Sequence, residues 1–150
     1  MRLGEFLRKE FVLGDLAASD KPEVLAELVA PVAAAFPDVD PELARRVLMD
    51  RENLGTTGIG NGVAIPHGKM ENLKEIVIVA GRSRAGVDFE ALDHKPCRIF
   101  FLMLAPEHVA GMHLRLLAQI SRLLSDEGFR RSFLEAPDQE SLWRVLASHS

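Results

Sequence analysis

The chain has 150 residues, 47% hydrophobic and 27% charged, and its 18 Lys and Arg against 22 Asp and Glu give a formal net charge of −4. At this length roughly two-thirds of the unfolded surface is buried on folding, so a core forms without disulfides or a structural metal. The acidic balance removes the electrostatic drive for non-specific nucleic-acid binding, and no apolar run approaches the roughly 20 residues of a membrane span.

A charged amino terminus without an apolar h-region and a single thiol, Cys97, predict a cytoplasmic protein with no internal disulfide. No repeat or low-complexity tract interrupts the chain, and one domain is expected over residues 1–150. Asp20-Lys21-Pro22-Glu23 combines a capping aspartate, a first-turn proline and a glutamate three residues on. Apolar residues then recur at Val24, Leu25, Leu28, Val29 and Val32, which predicts a helix over 20–36. Asp40-Pro41-Glu42 repeats the start signal, and Leu43, Val47 and Leu48 give a second helix ending near Arg51-Glu52.

Residues 55–68 hold five glycines in fourteen positions, so a loop and a short strand are expected there rather than a helix. Glu75 to Gly81 is rich in β-branched residues and Arg98 to Leu104 is almost continuously apolar, as strands covered on both faces are. From Met112 the period turns helical through Leu116, Leu117, Ile120, Leu123 and Leu124. Gly128 is expected to interrupt it before a short helix with Phe129, Phe133 and Leu134, and a last helix spans Asp138 to Ser148. Helices on either side of a strand cluster predict an α/β domain, with a small mixed sheet flanked by helices.

Among five histidines, His67 stands between Pro66 and Gly68 at the end of the glycine-rich stretch. Proline stiffens its support and the glycine leaves space beside the imidazole, so either a docking site or a plain surface turn fits the pattern. Gly58, Gly60 and Gly62 could form an anion-binding nest. His113 opens the apolar stripe of the third long helix; it reads as a core histidine or, from the first turn, as a donor to an anion. Arg51 reads as a phosphoryl partner or as a counter-charge to its own helix end.

Neither a dinucleotide-binding nor a P-loop fingerprint is met, because the glycines alternate every second residue and Met70 follows Gly68-Lys69. His67, His94, His108 and His113 lack the spacing of a preformed zinc site, although a histidine-based metal hydrolase stays open as an alternative. Asp88, Glu90, Asp93 and Glu107 form no recognisable acid/base pair, and Cys97 reads as a small buried residue.

Read as a unit, Arg51-Glu-Asn-Leu-Gly-Thr-Thr-Gly-Ile-Gly-Asn-Gly-Val-Ala-Ile-Pro-His67-Gly-Lys closely resembles the active-site segment of the fructose/mannitol class of enzyme IIA proteins in the bacterial phosphotransferase system. The Val87-Asp-Phe-Glu-Ala-Leu-Asp-His-Lys-Pro segment, the strand ending Leu104-Ala-Pro106 and the helix from His113 resemble that family in the same order. Without an attached IIB or IIC segment, the chain is most similar to the nitrogen-type regulatory members. One departure is Thr56, where many members carry serine.

The resemblance implies a sandwich with a mixed sheet of about five strands. It further implies that His67 accepts a phosphoryl group on Nε2 from the phosphohistidine of an HPr-like carrier protein. That group is then passed to an enzyme IIB or held as a regulatory signal, with His113 and Arg51 at the phosphoryl group and no cofactor or metal. A sugar-uptake role and a purely regulatory binding module are the alternatives. An apolar rim of Ile59, Val63, Ile65 and Met70 is expected to dock the carrier and exclude water.

Overall fold

The structure, a computed structural model, describes residues 2–109 and 111–149. Helices α1 (Lys21–Ala35) and α2 (Pro41–Asn53) begin at the two expected aspartates. Asp20 accepts from Glu23 N at 3.0 Å and Asp40 from Glu42 N at 3.0 Å, each satisfying a first-turn donor that the helix itself leaves free.

The sheet has six strands, one more than expected. β1 (Val12–Leu13) runs parallel to β5 (Val77–Val87), which pairs antiparallel with β6 (Cys97–Pro106). The far edge of β6 carries two short strands in succession, β3 (Val63–Ala64) and β4 (His67–Met70), both parallel to it. β2 (Gly58–Gly60) closes that side, antiparallel to β3. The glycine-rich stretch thus contributes three strands instead of one. Proline has no N–H to donate, so the edge breaks at Ile65-Pro66, and Met103 N instead donates to Pro66 O at 2.9 Å.

Alternation along β5 and β6 sorts the core into two layers. Val77, Val79, Phe100, Leu102 and Leu104 face Val24, Leu25, Leu28 and Leu48 of α1 and α2. Ile78, Ala80, Ile99, Phe101 and Met103 face the other three helices: α3 (Met112–Ser125), α4 (Glu127–Glu135) and α5 (Gln139–His149). The break between α3 and α4 falls at Asp126, which caps α4 through Gly128 N and Phe129 N. Gly128 is therefore inside the first turn of α4 rather than the interruption, because a capping aspartate both ends one helix and starts the next.

Cys97 is fully buried, as its sequence setting suggested, and burial with nearby Asp93 and Glu52 pushes its thiol up to about 12. A thiol in that range is not a nucleophile near neutrality.

Candidate functional site

β4 starts at His67 immediately after the Pro66 break, so the imidazole stands at a strand end rather than within a closed ladder. Its Nδ1 lies 2.9 Å from Ile65 O. A carbonyl only accepts, so Nδ1 carries the proton and Nε2 keeps its lone pair. The main chain thereby selects the tautomer that leaves the lone pair on Nε2.

His67 opens into a cleft of about 340 Å³ that is also lined by Arg51, His113, Lys69 and Asp50. Val47, Leu54, Met103, Ala105, Leu114 and Leu117 form its apolar walls. The three residues singled out from the sequence are brought together here from three separate elements. Arg51 comes from the last turn of α2, His67 from β4 and His113 from the first turn of α3.

Arg51 donates to Gly55 O at 2.9 Å, which caps the end of its own helix while leaving further guanidinium N–H groups uncommitted to any carboxylate among the described residues. His113 Nδ1 is buried and has no hydrogen-bond partner among the described residues. Burial, then the positive charge of Lys69 and repulsion from His67 whenever that imidazole is protonated, lower the His113 pKa from 6.5. His113 is therefore neutral near pH 7, with one ring nitrogen able to donate.

Lys69 was not singled out from the sequence. Strand alternation places it on the same face as His67, two residues on, and it forms no ion pair among the described residues. The signal was present in the His-Gly-Lys spacing once β4 was recognised as a strand. His94 and His108 do not line the cleft, and no cluster of three or more metal-ligating side chains occurs among the described residues.

Three expectations about this region are corrected. Val63, Ile65 and Met70 are buried at 1%, 5% and 2% exposure, the first two in the core layer beneath α3 to α5 and Met70 in the layer beneath α1 and α2, so they form no rim. Ile59 is exposed but lies outside the cleft; Leu54 and Leu114, at 85% and 62% exposure, supply the apolar rim instead. The glycines are not a nest around His67 either. Gly58 N donates to Thr56 Oγ1 at 3.1 Å, and a Cβ on Gly58 would meet Ala91 Cβ at 2.8 Å. The space beside Gly68 is taken by the protein itself, since a Cβ there would lie 2.6 Å from Val47 Cγ1 of α2.

The profile of the EIIA 2 family of the phosphoenolpyruvate-dependent sugar phosphotransferase system matches residues 5–149. The chain belongs to this EIIA family. It is 37% identical to a nitrogen regulatory protein of Bradyrhizobium diazoefficiens over 147 residues, covering 98% of this chain and 95% of that protein. It is 32% identical over 149 residues to the fructose-specific EIIABC component of Bacillus subtilis, covering 99% of this chain but only 24% of that much longer protein.

Among solved structures, nitrogen regulatory protein IIA-Ntr from Neisseria meningitidis superimposes with a TM-score of 0.88 at 30% identity, covering 96% of this EIIA chain and 98% of that one. The IIA-mannitol chain of Escherichia coli, solved in complex with phosphorylated enzyme IIB-mannitol, shares the fold with a TM-score of 0.76 at 21% identity, covering 95% and 97%. The mixed sheet between helices inferred from the sequence is the fold of these proteins.

Proposed function

We propose that this EIIA protein carries a phosphoryl group on His67 Nε2, received from the phosphohistidine of an HPr-like carrier. The reading rests on one observation: Nδ1 of His67 is committed to the Ile65 carbonyl, which leaves the lone pair on Nε2, and His67 lines a cleft together with Arg51, Lys69 and a neutral His113. In the transfer, the Nε2 lone pair forms the new P–N bond as the bond to the carrier's imidazole breaks. The departing imidazole takes that electron pair. Charge building on His67 is eased by its Nδ1–H bond to the carbonyl, and the equatorial phosphoryl oxygens meet Arg51, Lys69 and a donor on His113. Exchange between two histidines needs no metal, and the apolar rim of Leu54 and Leu114 suits a protein donor that displaces water.

The output we favour is regulatory, of the nitrogen type, because the similarity to nitrogen regulatory proteins runs over 95% of the length of one such relative. On this reading the phosphoryl charge changes which protein binds the cleft face. Delivery to an enzyme IIB for sugar uptake is the second reading, favoured by the similarity to the fructose-specific protein.

Incubation with labelled phosphoenolpyruvate, enzyme I and an HPr-like carrier tests the proposal. Acid-labile, alkali-stable label on the wild type and none on His67→Ala is expected; label retained on His67→Ala would place the acceptor elsewhere.

A further inference from the structure

A buried charge pair lies behind the cleft rather than in it. Glu52 follows Arg51 on α2, and its side chain is 1% exposed. Its carboxylate receives Lys21 Nζ at 3.1 Å, Thr57 N at 3.1 Å and the Thr57 hydroxyl. Lys21, the first residue of α1, is itself 8% exposed, and its ammonium sits 4.7 Å from the centre of the Phe89 ring.

A buried ion pair is a poor source of stability, because desolvation offsets most of the attraction and apolar side chains of similar volume often serve as well. What it supplies is direction. Apolar contacts allow sliding, whereas three convergent hydrogen bonds fix where a backbone segment lies.

The segment fixed here leads to the nucleophile. Thr57, held at its N–H and hydroxyl by Glu52, accepts from Ile65 N at 3.1 Å through its own carbonyl. The carbonyl of Ile65 in turn accepts from His67 Nδ1 at 2.9 Å. Lys21, Glu52, Thr57, Ile65 and His67 thus form one unbroken line from the start of α1 to the imidazole.

We infer that Glu52 and Thr57 are positioning residues for His67, holding the Ile65 carbonyl where it keeps the proton on Nδ1 and leaves Nε2 free. Neither touches the phosphoryl group; both act through the carbonyl of a third residue. The inference deepens the phosphoryl-transfer reading and rests on it only for its kinetic consequence.

The test uses the full chain, with Glu52→Leu combined with Lys21→Met to remove both charges together, and separately Thr57→Val and Thr57→Ser. The His67 tautomer is read in unphosphorylated protein by two-bond nitrogen–proton NMR correlation, and kcat and KM are read with the phosphorylated carrier as substrate. In the double variant and in Thr57→Val, the Nε2–H tautomer becomes populated and kcat falls about tenfold or more with KM unchanged, as slight misplacement of a reacting group predicts. Thr57→Ser restores both readouts.

A single Nδ1–H tautomer with wild-type kcat in Thr57→Val and the double variant overturns the inference. If the double variant does not fold, Thr57→Val decides alone. If the wild type takes no label from the carrier, the phosphoryl-transfer reading fails, and the tautomer measurement still decides the positioning role.

Discussion

Among the described residues two cationic side chains are buried, on opposite faces of the sheet, and they are held in different ways. Lys21 meets a carboxylate on the α1–α2 side, whereas Arg82 of β5, at 1% exposure, spends its hydrogen bonds on main-chain oxygens on the other side. Arg82 donates to Gly14 O at 2.9 Å, Phe133 O at 3.2 Å, Leu134 O at 3.3 Å and Ala136 O. Those last three carbonyls close α4, where a helix leaves acceptors unpaired and its dipole favours positive charge. One buried cation therefore fastens a helix end to the sheet, and the other lies on a route into the site. Burial of charge alone does not distinguish a structural group from one that serves the site; its partners do.

Arg82→Met is the sharpest way to separate them. It strands several buried carbonyls at once and should cost about 4 kcal/mol or more in chemical denaturation. Phosphoryl transfer per folded molecule should stay at the wild-type level, and a slower rate there would erase the contrast drawn between the two cations.

A smaller effect is expected at Gly68→Ala, whose Cβ would sit 2.6 Å from Val47 Cγ1. Valine is stiff, so α2 must move, costing about 1–3 kcal/mol and carrying Arg51 away from His67. Thermal melting and transfer rate should fall together.

The smallest effect is a titration. The lowered His113 pKa means that the unfolded chain takes up this proton at higher pH than the folded one. The stability linked to this group is thus present above the unfolded value and is lost as pH falls through the folded value. Burial is the larger cause and Lys69 the next, so Lys69→Met should move the His113 NMR titration upward while leaving it below 6.5. An unchanged midpoint would show that the lysine's charge does not reach the imidazole.

The helices were legible because their signals are local. Asp20 and Asp40 cap where a sequence reader would place caps, and the stripe from Leu116 to Leu124 fixes the buried side of α3. Of the residues that line the cleft, Arg51 and His67 were legible from the family-like segment and His113 from its first-turn position.

The short strands were not legible, since two to four residues become a strand only by pairing with a neighbour distant in sequence or with one another. For the same reason Val63, Ile65 and Met70 looked like a rim and proved to be core. Leu54 and Leu114 carry no mark in sequence that sets them apart from buried leucines. Lys21 did leave a trace: a cation in the first turn of a helix opposes the macrodipole, so a carboxylate partner was to be sought. Nothing along the chain names Glu52 as that partner.

The hydrogen bond from His67 to Ile65 uses a carbonyl, a group every amino acid carries at that position. Mutation at residue 65 can change the packing of a side chain that is 5% exposed, but it cannot delete the acceptor. The proton inventory of the imidazole is thus written into the path of the backbone. A lineage of such proteins can vary the side chain at residue 65, and the lone pair of the imidazole stays on the same nitrogen as long as the chain runs the same course.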